Sequence, residues 1–172
     1  KMSNLMNTKH ILSIMVDNEP GVLARVVGLF SGRGYNIESL SVSEVDSDKF
    51  LSRVTVVTSG TKIIVGQIKA QLKKLIPVHD LIDITELDSF IGKELILIKL
   101  NVKRNTNESF ENVIKKTKAI VLFNKDSDVI IQFTGSPLEI LNLLKKLKSF
   151  KIIEQTRSGL VSMALGLDYI KK

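Results

Sequence analysis

An α+β fold built from two tandem β-α-β-β-α-β units is what this sequence predicts, and three observations predict it. Short runs rich in Ile and Val alternate with amphipathic stretches of helical period, and they do so in the same order twice. Polar clusters at Asp46-Ser47-Asp48 and Asn124-Lys125-Asp126-Ser127 separate neighbouring strand-like runs in each half, as hairpin turns do. The chain has 172 residues and 44% hydrophobic content, enough to fill two small cores and too apolar for disorder.

The first unit opens at residues 11–16, a nearly unbroken apolar run suited to an interior strand. Leu23, Val26, Val27 and Phe30 then fall at i, i+3, i+4 and i+7, one buried helical stripe. Gly32 and Gly34 offer a left-handed end to that helix. Asn36 to Val45 reads as a strand with Leu40 and Val42 on one face and Ser39, Ser41 and Ser43 on the other, paired in a hairpin with Phe50 to Thr58. Thr61 is a fitting N-cap for a second helix burying Val65, Ile68, Leu72 and Leu75. The alternation of Ile82 and Ile84 predicts a fourth strand over Val78 to Leu87.

After Asp88-Ser89-Phe90-Ile91-Gly92 the order repeats without sequence identity. A strand from Lys93 to Val102 leads to a helix over Asn107 to Thr117 carrying Phe110, Val113 and Ile114, then strands at Ala119 to Phe123 and Val129 to Thr134. Ser136-Pro137-Leu138-Glu139 marks a helix start three ways: a capping serine, proline at the first turn and a glutamate closing the capping box. That helix should bury Leu141, Leu144 and Leu147. Phe150 to Gln155 is the last predicted strand, with Thr156 to Lys172 as a tail. Two ferredoxin-like domains are the economical solution: an extension over 1–9, a domain over 10–87, a linker over 88–92 and a domain over 93–172.

Composition narrows the chemistry. With no cysteine, disulfides, thiolate catalysis and Cys-ligated zinc are excluded. No apolar run approaches the length of a membrane span, and residues 1–9 lack a signal-peptide core, so an intracellular protein without a membrane role is expected. The net charge of +7 is spread over helix faces, as in Lys69, Lys73, Lys74, Lys115, Lys116, Lys145 and Lys146, without interleaved aromatic residues for base stacking. Surface solvation or an acidic protein partner explains it better than nucleic acid. His10 and His79 lie apart with no acid or histidine at ligand spacing, and both read as strand-end surface residues. Gly32-Arg33-Gly34 lacks a third glycine at Ile37 and follows a helix, so it is no dinucleotide loop.

The stretch Asp17-Asn18-Glu19-Pro20-Gly21-Val22-Leu23 runs from strand through a tight polar turn into a helix, whose first amides are unpaired. One reading is structural: Asn18 caps the helix and Gly21 relieves crowding. The other is a ligand site. Asn18 offers donor and acceptor on one short side chain, Gly21 removes a Cβ from the approach, and Val22 and Leu23 bring amides and an apolar wall. These suit the charged groups of a small amino acid. No nucleophile, partnered base or metal cluster is legible, so a catalytic role is not expected.

Together with Arg33-Gly34-Tyr35-Asn36-Ile37-Glu38-Ser39-Leu40, that loop resembles the ACT-type domain of the regulatory (small) subunit of acetolactate synthase, or acetohydroxyacid synthase. The second half agrees through Lys93-Glu94-Leu95-Ile96-Leu97-Ile98-Lys99 and Thr156-Arg157-Ser158-Gly159. It departs at Leu165 and at Leu122-Phe123, where relatives often carry a basic and an acidic residue. The resemblance implies a homodimer paired through its ACT domains. Valine, or leucine or isoleucine, would lie between Asn18, Gly21, Val22 and Leu23 of one copy and Asn36 and Ile37 of the other. It further implies a non-catalytic subunit that activates a large catalytic subunit and confers feedback inhibition in branched-chain amino acid biosynthesis. Thiamine diphosphate, magnesium and FAD would belong to that partner, and the compartment would be the cytoplasm, or the plastid stroma in an alga or plant. A rival reading from the charge is an amino-acid-responsive nucleic-acid-binding regulator, though its expected helix-turn-helix is not seen in the sequence.

Overall fold

The computed structural model describes residues 7–103, 106–166 and 169–170, and the chain divides into two units, residues 1–91 with 160–172 and residues 92–159. In the first, β1 (Thr8–Asp17), α1 (Val22–Ser31), β2 (Ile37–Asp46), β3 (Leu51–Gly60), α2 (Lys62–Leu72) and β4 (Val78–Asp83) follow in the expected order. The strands form an antiparallel sheet of order β2-β3-β1-β4. Alternation along β1 divides the two faces. Leu12, Ile14 and Val16 meet Val26 and Phe30 of α1 and Val65, Ile68 and Leu72 of α2 in the main core. Ile11 and Met15 point the other way, toward Leu160 and Ile170 near the end of the chain. Each fully buried aliphatic side chain contributes about 1.5–3 kcal/mol by leaving water.

The second unit holds most of β5 (Phe90–Asn101), then α3 (Asn107–Thr117), β6 (Ile120–Lys125), β7 (Asp128–Gly135), α4 (Pro137–Lys146) and β8 (Lys151–Arg157). Its sheet runs β6-β7-β5-β8, the same order as in the first unit. Phe110 and Phe150 meet edge to face, 5.6 Å between centroids, at the base of a core with Ile96, Ile98, Leu100, Ile131, Ile140 and Leu143. The capping box at α4 forms as the sequence indicates. Ser136 Oγ accepts from the Glu139 amide at 3.3 Å, and Glu139 Oε2 accepts from the Ser136 amide at 2.6 Å.

Several boundaries and faces differ from the sequence reading. β1 begins at Thr8, which pairs with Gly60, so the extension over 1–9 gives its last two residues to the sheet; residues 1–6 lie outside the described residues. α1 buries Val22, Val26 and Phe30 and leaves Leu23 39% exposed, because the helix starts one residue after Gly21 and turns its i, i+4, i+8 row inward. Gly34, not Gly32, takes the left-handed conformation after α1. Phe50 leaves β3 to form a left-handed turn residue. β4 stops at Asp83, whose carboxylate accepts from the Thr85 amide at 3.1 Å and converts Ile84–Glu86 into a 3-10 turn. The 88–92 linker shrinks because β5 begins at Phe90. The tail from Thr156 carries strands: β8 continues to Arg157, and β9 (Val161–Ala164) pairs with β5, whose first two residues belong to the first unit. Residues 160–172 thus group with the first unit, not with a domain over 93–172, since Leu160 packs on Ile11, Val57 and Ile84. In α4 the buried row is Ile140, Leu143 and Leu147, and Leu141 faces outward.

Candidate functional site

The loop after β1 is held at its entry from both neighbouring strands. The Asp17 amide donates to the Pro77 carbonyl at 2.9 Å and the Asn18 amide to the Phe50 carbonyl at 2.6 Å. Glu19-Pro20-Gly21 then turns into α1, with the Val22 amide on the Glu19 carbonyl at 3.3 Å and the Arg25 amide on Gly21 at 3.1 Å. No side chain caps this helix. The Leu23 and Ala24 amides therefore have no acceptor among the described residues, and they carry the positive end of the helix dipole.

Asn18 is not a cap. Its Nδ2 donates to Glu44 Oε2 on β2 at 2.9 Å, which leaves its Oδ1 facing solvent as an acceptor. Gly21 sits at φ +84° with open space around the place a Cβ would take, so its backbone conformation, not crowding, requires glycine. Val22 is 3% exposed within the core and its amide closes the turn, so it anchors α1 and presents nothing outward. Leu23 is the outward apolar group of the turn.

Asn36 and Ile37 lie elsewhere. The Asn36 carbonyl accepts from Thr58 Oγ1 at 2.8 Å, and Ile37 is half-buried against the main core in register with Thr58. Thr58 pairs with His10 at the start of β1, whereas Asp17, next to Asn18, pairs with Leu51. At the rise of an extended chain His10 and Asp17 stand about 23 Å apart. One chain therefore does not bring Asn18, Gly21 and Leu23 together with Asn36 and Ile37. Beside Ile37, the Lys9 ammonium, 2.7 Å from Glu38, and the Ser59 hydroxyl hold the Glu38 carboxyl below its usual pKa.

His10 departs from the expected surface position, whereas His79 is exposed at the start of β4 as the sequence indicates. His10 is buried, with Nδ1 2.7 Å from Asp83 Oδ2 and Nε2 3.0 Å from Thr8 Oγ1. His79 Nε2 lies 2.5 Å from Asp17 Oδ1, directly before the loop. Both have acidic partners across strands, where sequence separation hides them. No group of three or more metal-ligating side chains gathers among the described residues. Two further polar residues escaped the sequence reading: Glu44, which orients Asn18, and Arg53, which lies half-buried in β3. A lone arginine within the strand Leu51-Ser52-Arg53-Val54-Thr55-Val56 was the available signal.

Residues 12–80 match the family model described as the AHAS small subunit-like ACT domain, and residues 93–166 match that of the small subunit of acetolactate synthase. The acetolactate synthase small subunit of Buchnera aphidicola subsp. Schizaphis graminum is 35% identical, covering 92% of this chain and 99% of that protein. The one from Mycolicibacterium smegmatis is 38% identical over 96% and 95% of the two chains. Archaeoglobus fulgidus has a probable acetolactate synthase small subunit 38% identical over 92% and 98%. The crystal structure of the acetolactate synthase small subunit from Thermotoga maritima superposes with a TM-score of 0.82 at 28% identity, covering 91% of this chain and 97% of that one.

Proposed function

This chain belongs to the acetolactate synthase small-subunit family, and from that premise we propose that it senses a branched-chain amino acid between two paired copies and passes the signal to a catalytic large subunit. The observation that carries the reading is the uncapped start of α1, where two free amides lie at the turn that Asn18 opens. The ligand carboxylate takes the Leu23 and Ala24 amides, a placement favourable by about 0.3–2 kcal/mol. The ammonium takes Asn18 Oδ1 and the Glu44 carboxylate, and the Leu23 side chain walls the aliphatic part. A second copy supplies Asn36 and Ile37, which accords with their distance from Asn18 within one chain. Gly21 keeps the turn in a left-handed conformation and Val22 ties it to the core.

Valine fits a wall of this kind. Discrimination from leucine and isoleucine is modest, since one methylene is worth about 1–3 kcal/mol. Feedback requires that the ligand favour one arrangement of the pair, and a coupling of about 1–3 kcal/mol is enough. In this reading the chain activates its partner and does no chemistry itself; thiamine diphosphate, magnesium and FAD reside on the large subunit, and both work in the cytoplasm.

Calorimetric titration of valine into the purified chain tests the site. Heat should appear with the natural sequence and vanish in Gly21→Asp, whose carboxylate repels the ligand's own. The variant should still activate the large subunit and yield a synthase resistant to valine. Unchanged heat, or continued inhibition, overturns the site. Valine-dependent binding to duplex DNA instead of to a large subunit would favour the nucleic-acid regulator.

A further inference from the structure

We propose that the cavity on the helix-free face of the first sheet binds a small aliphatic monocarboxylate, its carboxylate on Arg53 and its chain among Met15, Ile82, Ile84, Met163 and Ile170. The cavity measures about 270 Å³, and every one of these residues belongs to the first unit. It arises from register. Met15 on β1 lies opposite Arg53 on β3, and Ser13, one step along the same face, lies opposite Ile82 on β4. Met163 of β9 and Ile170 pack over this face, and a void remains between them and the sheet.

Arg53 is the charged group in a lining otherwise of Met, Val, Ile, Ala and Tyr side chains. Two bonds fix its orientation: Nε donates to Ser13 Oγ at 2.8 Å and Nη2 to the Ser162 carbonyl at 3.0 Å. A guanidinium has five N–H donors, so three remain. Among the described residues no carboxylate pairs with it. Burial pushes its pKa below the ordinary value. A half-buried cation with no counter-charge among the described residues loses part of its hydration, and an anion with the fork geometry of a carboxylate offsets that cost. The apolar walls select an aliphatic chain for the rest of the ligand. Among the described residues the lining holds one cation, which suits one carboxylate, and a volume just under the range of about 300–1,000 Å³ for drug-sized ligands limits the ligand to few atoms. The cavity lies on the face turned away from α1, so it is distinct from the turn at Asn18.

Methyl NMR of chain labelled with 13C-methyl methionine tests this directly, because Met15 and Met163 line the cavity and are assigned by Met15→Leu and Met163→Leu. Titration with 4-methylpentanoate should shift both methyl resonances saturably, with and without saturating valine. The matching alcohol, 4-methylpentan-1-ol, should bind about tenfold more weakly or less, as should the acid to Arg53→Gln. Ala164→Leu leaves Arg53 untouched and narrows the void, so it should abolish the shifts even if Arg53→Gln does not fold. Absence of shifts at both methionines, equal binding of the alcohol, unchanged binding in Ala164→Leu, or displacement of the acid by valine overturns the proposal.

Discussion

Asn18 and Glu44 are joined by one hydrogen bond, Nδ2 to Oε2 at 2.9 Å, that ties the loop after β1 to strand β2 across 26 residues of sequence. The bond decides which end of the Asn18 amide faces outward, and it sets a carboxylate beside the uncapped helix. Glu44→Ala should release the asparagine and remove the negative charge that attracts an ammonium. Valine affinity should fall by about ten- to a hundredfold, the worth of one hydrogen bond to a charged group. Glu44→Gln keeps an acceptor without the charge and should lie between. Calorimetry on the three proteins measures the order, and identical affinities would remove Glu44 from the site.

Gly21 and Gly28 both have open space where a Cβ would go, yet they should respond to alanine with opposite signs. Gly21 stands at φ +84°, where an L side chain costs about 1–2 kcal/mol. Gly28 is an exposed interior residue of α1, where alanine gains about 0.5–1 kcal/mol. Urea unfolding should thus give a lower midpoint for Gly21→Ala and a higher one for Gly28→Ala. Equal shifts would mean that the loop does not hold its left-handed turn in solution.

Glu139 supplies a pH dependence whose sign is fixed by its partners. Hydrogen bonds from the Ser136 amide, at 2.6 Å, and from Lys93 Nζ, at 2.9 Å, pull its carboxyl pKa from 4.5 to about 2. The folded value is the lower, so the unfolded chain takes up the proton first as pH falls. The stabilisation is complete above about 4.5, declines below it and is lost near 2. The Ser136 amide proton should titrate with the low midpoint by NMR. The stability gap between the natural protein and Glu139→Gln should close across the same window, and a midpoint near 4.5 would contradict the capping geometry.

Both β-α-β-β-α-β units were legible because local signals agreed: caps at Thr61 and Ser136, polar turns between strands, and apolar runs of the right length. The loop from Asp17 to Leu23 was legible for the same reason, being contiguous. What escaped depends on pairing across the sheet. Glu44 reaches Asn18, Asp83 reaches His10 and Asp17 reaches His79 through strand register, which no local window contains. The return of residues 160–166 to the first unit was hidden likewise, since Leu160, Val161, Met163 and Leu165 look the same whichever face they cover.

The face of α4 was misread for a different reason, and it yields the sharpest stability test. Apolar residues stand at 138, 140, 141, 143, 144 and 147, so two overlapping rows both satisfy helical spacing. The capping box settles the choice by fixing where the helix starts and how it meets the sheet: Ile140, Leu143 and Leu147 turn inward, while Leu141 remains 48% exposed. Leu143→Ala should cost about 2–5 kcal/mol, as a truncation in a closed core does. Leu141→Ala should stay within about 0.5 kcal/mol of the natural protein, because a surface leucine loses little contact and alanine is the better helix former. Urea unfolding of the two variants separates the alternatives, and the reverse ranking would turn α4 by the one residue that distinguishes the two rows.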